Sequence, residues 1–465
     1  MFKYLKQFEW RDTLETLMNI NSAVNGIVWG PLIIILIIGT GTYLSIMTGF
    51  FSITKIGYIL KNTLLKMFAK DDKGEGEVTA FQAVATALAA TVGTGNIAGV
   101  ATAIALGGPG AVFWMWLAAI MGMTTKFAEV VLAVNYREKT EDGRFVGGPM
   151  YYITNGLGKN WKWLAVIFAT FGTLASFGIG CMVQSNSVAL SAESTFGMPV
   201  LVTGIVLAIL TAVVIVGGIK RIGAFTEKLV PFMAALYIIG GLWLIIANAG
   251  KLPHAFSLIF GNAFTGTAAV GGFAGTVMMQ AIRFGVARGI FTNEAGLGSA
   301  PIAHAAATTN HPVRQGLWGV FEVFMDTIII CSITALAILV TGVWESGESG
   351  AVLSAMAFDV GLPGIGKYIV SVGLILFAYS TILGWEYYGE RCLEYLAGTK
   401  PIMAYRLIWV VAVVVGAIGG LGFMWDLADT LNGLMAFPNL IGVLMLSPVV
   451  FRLTKEFFAK EKKAD

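Results

Sequence analysis

The chain has 465 residues, of which 57% are hydrophobic and only 12% are charged, and its formal net charge is +3. Soluble domains carry about 25% charged residues, so this composition excludes a water-soluble globular protein. The small net charge gives no support to nucleic-acid binding. The three cysteines (Cys181, Cys331 and Cys392) are scattered in apolar segments, without the spacing of a zinc site or a disulfide framework. The sequence therefore predicts an integral membrane protein.

The predicted elements begin with an amphipathic segment. Residues 1–25 alternate charged and apolar side chains and contain no uncharged core of the signal-peptide type. We interpret them as a helix lying on the membrane surface.

Charge-free windows long enough to cross a bilayer then predict about eleven transmembrane helices, each needing about 20 apolar residues. The uncharged stretch 78–125 is too long for one span, and the sequence Gly-Gly-Pro-Gly at 107–110 divides it into two helices joined by a tight hairpin. The predicted helices are 27–47, 79–106, 110–136, 161–190, 198–217, 227–249, 265–290, 315–341, 364–396, 404–422 and 429–451.

Lysine and arginine predict the orientation, because they collect in cytoplasmic loops. The loop 55–73 is strongly basic, and counting spans from it places most other basic residues, including those of the tail, on the same side. This predicts an amino terminus outside the cell and a cytoplasmic carboxyl terminus.

Two predicted helices have interrupted interiors, which indicates an inverted repeat. Gly93-Thr94-Gly95-Asn96 interrupts 79–106, and the glycine-rich stretch 271–276 interrupts 265–290. Broken helices at corresponding positions of two halves are typical of inverted-repeat transporters, although glycine pairs in membrane helices also serve helix packing. The predicted organisation is an amphipathic segment, an extra helix with a basic loop, two five-helix repeats and a tail, at 1–25, 26–76, 77–250, 251–452 and 453–465.

A broken helix at bilayer depth frees backbone groups that need partners. The amino terminus of the half-helix after the break favours a carboxylate, and carbonyl oxygens of the preceding half favour a cation. The hydroxyls of Ser380 and Thr381, with free carbonyls near Ala89 and Val92, are a candidate cation shell; alternatively, the hydroxyls bond their own helix. Gln184 and Asn186 are candidates for contacting a solute, or for an interhelical hydrogen bond.

Ionisable residues inside predicted spans are functional candidates. We interpret Lys126 and Glu129 as neutralising each other, and Glu322 and Asp326 as near enough to pair with Arg314 or Arg283. Glu386 and Glu390 lie within reach of Arg391. None of these residues coincides with a predicted break, which favours an ion bound by neutral oxygens over a proton.

Several motifs resemble those of the alanine or glycine:cation symporter family. They are Thr91–Val100 with Ala105–Gly110, then Lys126–Glu129, Gly147–Tyr152, Met182–Asn186 and, most specifically, Phe291–Pro301. The similarity covers nearly the whole chain except the two tails.

This resemblance implies an all-α, LeuT-type 5+5 inverted repeat with one extra amino-terminal helix, and sodium-driven uptake of alanine or glycine. It implies that Thr94, Gly95 and Asn96 meet the substrate carboxylate. Gln184 is the further substrate candidate. Two residue sets follow from the superfamily pattern: a second unwound segment containing Phe273, Gly275 and Thr276, and a sodium site of Ala89, Val92 and Phe377 carbonyls with the Ser380 and Thr381 hydroxyls. Cys181 stands where the family leads us to expect asparagine.

Other functions remain open from the residues alone. A proton-coupled amino-acid transporter is the nearest alternative. A membrane-embedded hydrolase would need Ser299 and His304 as nucleophile and base, but no carboxylate is placed to orient the histidine. A channel would show charge rings or a repeated filter loop, and neither is visible. Asn293-Glu294, which the topology places on the cytoplasmic side, is structural or gating.

Overall fold

The computed structural model describes residues 2–67, 74–264, 274–419 and 422–461, which are mainly helical. Four helices precede the first interrupted one. The predicted amphipathic segment lies in the first of them, which continues three residues beyond it, and a proline begins the second helix, as is common at the first helical position. These helices are α1 (Phe2–Val28), α2 (Pro31–Met47), α3 (Phe51–Thr54) and α4 (Ile56–Asn62).

The next eight helices form the first half of the chain. Wider, π-helical turns at Gly95–Gly99 and Ser176–Met182 lead into α6 and join α9 to α10. A two-stranded hairpin, β1 (Glu138–Lys139) and β2 (Phe145–Val146), follows α7. The helices are α5 (Ala80–Thr91), α6 (Val100–Gly107), α7 (Ala111–Asn135), α8 (Pro149–Leu157), α9 (Lys162–Ala175), α10 (Val183–Phe196), α11 (Val200–Ile215) and α12 (Gly218–Ala247).

The second half contains nine further helices among the described residues. A π-helical segment, Phe324–Cys331, joins α16 to α17. The predicted helices 161–190 and 364–396 are present, as the span Lys159–Phe196 and as α19. The helices are α13 (Leu252–Phe264), α14 (Ala274–Asn293), α15 (Pro301–His304), α16 (Pro312–Val323), α17 (Ser332–Thr341), α18 (Gly350–Gly361), α19 (Gly366–Ala397), α20 (Ile402–Ile418) and α21 (Gly422–Glu461).

In the described part of the chain, seven helices are long and apolar enough to cross a membrane, and an eighth span is formed by α5 and the helix after its break. Three shorter apolar helices, α11, α18 and α20, accompany them. Large apolar side chains are exposed along α2, α11 and α20, whereas α7 and α19 are largely buried. Exposed apolar surface of this extent is typical of a membrane protein.

The first break forms where the sequence predicts it. A capping box between Thr79 and Gln82 starts α5 by satisfying the free amide groups of its first turn. The helix ends at Thr91, residues 92 and 93 are not helical, and the following helix is inclined by 50° to it. The predicted interruption of 79–106 is therefore present, and it lies at Val92 and Gly93.

The second predicted interruption, 271–276, is described only in part. Gly275 and Thr276 lie in the first turn of α14, and residues 271–273, including Phe273, lie outside the described residues. A second break is described at the other end of this helix, which ends at Asn293, and residues 294–300 are not helical. Glu294, Gly296 and Gly298 have φ values of 55°, 92° and 82°, which a right-handed helix does not allow.

Two backbone bridges join the segment just before α5 to the segment just after α15. Glu75 pairs with Thr309, and Val78 pairs with Ala307. A Cβ atom on Gly76 would lie 2.3 Å from the backbone of Thr308, so the two segments touch without room for a side chain. The guanidinium group of an arginine, at position 137, donates to carbonyls of both segments.

Candidate functional site

The first break has backbone groups held by side chains rather than by a helix. The Gly93 amide donates to Asn96 Oδ1 at 2.9 Å, and the Thr94 amide lies 3.4 Å from Gln184 Oε1. The Thr94 hydroxyl is buried and has no hydrogen-bond partner among the described residues. A buried hydroxyl without a partner costs about 1–3 kcal/mol, so this position suits a polar solute.

Two glycines of the break allow very close contacts. A Cβ on Gly93 would lie 2.6 Å from Thr381 Oγ1 and 3.5 Å from Gln184 Oε1. A Cβ on Gly95 would lie 2.6 Å from Thr292 Cγ2. Because real Cβ atoms do not approach this closely, only glycine fits at either position. The break therefore lies directly between α10, α14 and α19.

Four of the five atoms predicted to hold sodium are brought together between α5 and α19. Ser380 Oγ lies 3.0 Å from the Ala89 carbonyl oxygen and 2.8 Å from that of Phe377. Thr381 Oγ1 lies 3.1 Å and 3.0 Å from the same two oxygens. Val92 is buried and follows α5 directly, at the break. Two carbonyls and two rotatable hydroxyls form a neutral oxygen set of the kind that a monovalent cation uses.

Asp326 contacts the first break, which the sequence did not predict. Asn96 Nδ2 donates to Asp326 Oδ1 at 2.6 Å, and the Thr327 hydroxyl donates to Oδ2 at 2.7 Å. Asp326 is fully buried, and in the described part of the chain no cationic side chain forms an ion pair with it. The interpretation that no ionisable residue coincides with a break was therefore wrong. The wider turn at Phe324–Cys331, of a kind frequent at functional sites, carries this carboxylate.

The second break has its own set of side-chain partners. Glu294 accepts from Ser299 Oγ at 2.5 Å and from Trp385 Nε1 at 2.8 Å. Glu294 is buried, and its position on the cytoplasmic side stays a prediction. A Cβ on Gly180 would lie 2.1 Å from Trp385 Cβ, so α19 packs tightly on the π-helical turn before α10.

Of the other polar candidates, some contact the first break and others make hydrogen bonds between helices elsewhere. Gln184 lies at the first break, as predicted. Asn186 Nδ2 donates to carbonyl oxygens of Gly416 and Gly419, so it makes the interhelical hydrogen bond that was its alternative role. Ser299 and His304 bond to different glutamates, Glu294 and Glu322, and do not form a nucleophile–base pair with each other.

Buried charged residues pair differently from the sequence prediction. Lys126 Nζ lies 3.2 Å from Glu322 Oε1, so lysine pairs with α16 rather than with its neighbour Glu129. Glu322 pairs with neither Arg314 nor Arg283 among the described residues. The expected Glu390–Arg391 contact is present, and a second arginine also binds that glutamate. Sequence spacing could not show these partners, because they come from distant helices.

Comparison with known proteins identifies relatives over almost the whole chain. The sequence profile of a family described as the sodium:alanine symporter family matches residues 14–465. The sodium/alanine symporter AgcS of Methanococcus maripaludis is 51% identical over 442 residues, covering 94% of this chain and 96% of the relative. The amino-acid carrier protein AlsT of Bacillus subtilis is 40% identical over 427 residues, covering 90% of each.

Solved structures share the fold at low sequence identity. The crystal structure of MhsT in complex with L-phenylalanine matches with a TM-score of 0.59 and 15% identity, over 80% of this chain and 89% of that one. A sodium-coupled sialic acid symporter in a substrate-bound outward-open state matches with a TM-score of 0.51 and 14% identity, over 89% and 87%. The predicted LeuT-type architecture is confirmed.

Proposed function

The chain belongs to the sodium:alanine symporter family, and from this membership we propose where its two solutes bind: a small neutral amino acid at the first break, and sodium between α5 and α19. The protein is a multi-pass membrane transporter and not an enzyme. It couples sodium to amino-acid uptake by alternating access.

One observation above all supports the sodium proposal. The hydroxyl oxygens of Ser380 and Thr381 each lie within 3.1 Å of both carbonyl oxygens, those of Ala89 and Phe377. With sodium bound, both hydroxyls turn their lone pairs toward the ion, and the carbonyls supply negative dipole ends. Val92, at the break itself, completes the proposed set with its carbonyl oxygen.

The substrate proposal uses the two kinds of polar group at the first break. Among the described residues, the Thr94 hydroxyl has no hydrogen-bond partner and the Thr94 amide has only a long hydrogen bond to Gln184, so both are available to a carboxylate. Gly95 leaves the backbone open to close approach, and Asn96 holds the break in shape through Gly93. From the second half, the proposed contacts are Phe273, Gly275 and Thr276, the first of which lies outside the described residues. The proposed amino acid is alanine or glycine.

The orientation is also a proposal. Basic residues collect on one side of the predicted spans, which supports a cytoplasmic carboxyl terminus and an external amino terminus. Labelling of single cysteines introduced near each terminus by a membrane-impermeant reagent on intact cells tests it. Labelling of the carboxyl-terminal cysteine without permeabilisation would contradict it.

The experiment for the function is uptake of labelled alanine into proteoliposomes under separate sodium, lithium and proton gradients. We expect saturable accumulation driven by sodium. A proton-coupled transporter is the second candidate, favoured by the carboxylate of Asp326 at the first break. Accumulation driven equally by a proton gradient without sodium would support that alternative and contradict sodium coupling.

The matching site experiment replaces Asn96 by alanine or Thr94 by valine. Either change is expected to abolish high-affinity alanine binding, measured by counterflow of labelled alanine. Asn155→Ala, at an exposed asparagine outside the site, is the matched control for the first variant. Unchanged affinity in both site variants would remove the carboxylate proposal.

A further inference from the structure

Buried charged residues beside the second break form a cluster that the proposed solute sites do not use. Its members are one lysine and three glutamates from α7, α16 and the break, each no more than 2% exposed. We call these four the carboxylate cluster: Lys126, Glu129, Glu294 and Glu322. With every member ionised, the cluster holds three negative charges and one positive charge.

Lysine is already neutralised by one of the glutamates. Glu322 accepts from Lys126 through Oε1 at 3.2 Å, and its Oε2 lies 3.0 Å from His304 Nε2. The Gln315 amide nitrogen, which can only donate, lies 2.8 Å from His304 Nδ1. The two ring nitrogens of His304 are therefore engaged by Glu322 and Gln315. Among the described residues, neither Glu129 nor Glu294 forms an ion pair.

Among the described residues, Glu129 and Glu294 have only neutral hydrogen-bond partners, but the partners are distributed differently over the two carboxylate oxygens. Glu294 receives one donor on each oxygen, from Ser299 and from Trp385, as an ionised carboxylate requires. Glu129 receives both of its donors on Oε1, from the Gly296 amide at 3.1 Å and from Asn439 Nδ2 at 2.5 Å.

The second oxygen of Glu129, Oε2, is buried and has no hydrogen-bond partner among the described residues. A buried charged oxygen without a donor is far more costly than a neutral hydroxyl. The asymmetry is that of a carboxylic acid, whose carbonyl oxygen accepts two hydrogen bonds while the other oxygen holds the hydrogen.

We propose that Glu129 is a proton-binding site, with the proton on Oε2, and that the neutral carboxyl group holds the second break in this conformation through the Gly296 amide. The charged groups that act on Glu129 are Lys126 from its own helix and Glu322 from α16. Tyr152 of α8 approaches through Asn439, to which it donates. Loss of the proton places an unpaired negative charge near the Glu322 carboxylate, and this repulsion opposes the conformation described here.

The direct test is infrared spectroscopy of the full-length protein, comparing wild type with Glu129→Gln. Glutamine is permanently neutral, and its carbonyl oxygen can still accept from Gly296 and Asn439. At neutral pH the difference spectrum is expected to contain the carbonyl stretch of one protonated carboxylic acid, shifted in deuterium oxide. Glu348→Gln, at an exposed glutamate, is the matched control and is expected to leave this band unchanged.

A wild-type spectrum whose acid band is identical in Glu129→Gln would overturn the assignment. The same conclusion would follow if a carboxylate band, rather than an acid band, were lost. Should Glu129→Gln fail to fold, Asn439→Ala provides a second measurement, because removal of one hydrogen bond from Oε1 is expected to move the acid band to higher frequency. An unmoved band in that variant would also contradict the proposal.

Transport supplies a second readout, and this part rests on the proposed function. Wild-type alanine uptake at saturating sodium is expected to decline over the pH range in which the acid band disappears, by about tenfold per pH unit beyond its midpoint. Uptake by Glu129→Gln is not expected to decline there, and a parallel decline would contradict the link to transport. Absence of sodium-driven uptake in wild type would instead reject the proposed function, while leaving the infrared assignment intact.

Discussion

Replacement of Thr381 by valine removes one proposed sodium ligand while keeping the shape of the side chain. The Ala89 and Phe377 carbonyls keep their hydrogen bonds from Ser380, at 3.0 Å and 2.8 Å, so neither is left without a donor. The free energy of unfolding is therefore expected to fall by about 1 kcal/mol, the net contribution of one hydrogen bond.

The expected loss of sodium-binding free energy is larger than the loss of folding stability. A polar contact to a charged group is worth about 1.5–3 kcal/mol, and each 1.4 kcal/mol changes an affinity about tenfold. The sodium concentration for half-maximal alanine uptake is therefore expected to rise by about 10- to 100-fold in Thr381→Val. The maximal rate at saturating sodium is expected to change much less.

The assay is initial alanine uptake into proteoliposomes at varied sodium and constant ionic strength. Thr341→Val is the matched control, because the Thr341 hydroxyl donates to carbonyls of its own helix at 2.7 Å and 3.1 Å. We expect its sodium dependence to equal that of wild type. If Thr381→Val also shows a wild-type sodium dependence while remaining folded, the ion binds elsewhere.

Three further changes test other contacts. Gly93→Ala would place a Cβ atom 2.6 Å from a hydroxyl oxygen of the proposed sodium site; overpacking costs about 1–3 kcal/mol, and uptake is expected to fall, whereas Gly99→Ala, with open space around its Cβ, should retain it. Asp326→Ala removes the carboxylate that accepts from the Asn96 amide at 2.6 Å and leaves that amide the Asp326 backbone carbonyl at 3.3 Å, and equilibrium binding of labelled alanine should weaken about tenfold. Equal affinity would show that this hydrogen bond does not support binding. Lys126→Met leaves Glu322 buried without its cation, which costs about 3–5 kcal/mol; a melting temperature like that of wild type would show that the pair is dispensable.

The first break could be predicted because its causes are local. Gly93 and Gly95 weaken the helix, and an uncharged stretch on both sides places them at bilayer depth. The partners at the break were predicted in part: Gln184 is a polar residue in an apolar helix and therefore conspicuous. Ser380 and Thr381 stand out for the same reason, so the neutral oxygen set could be proposed before the fold was known.

The break after α14 was not predicted, because the second interruption was sought at the glycine-rich stretch 271–276. Glu294 lies at the end of a helix that contains arginines, and the predicted topology places it on the cytoplasmic side. In the folded chain Trp385 and Ser299, from distant and nearby positions, supply donors that make its burial possible. The alternating glycines after it, Gly296 and Gly298, were the available signal, since both adopt positive φ.

Partners across helices could not be predicted from spacing. Lys126 and Glu129 lie on neighbouring positions of one helix face, where an ion pair between them is reasonable. The structure instead brings Glu322 to the lysine and Asn439 to the glutamate. Asp326 was expected to pair with Arg314 or Arg283 for the same reason, because only the packing of α16 and α17 against the break shows what it contacts.

Backbone bridges join residues 75–78, just before α5, to residues 307–309, after α15. The Arg137 guanidinium group donates to three carbonyl oxygens, one before α5 and two after α15. The segments before α5 and after α15 can therefore move apart only if these backbone and guanidinium hydrogen bonds break.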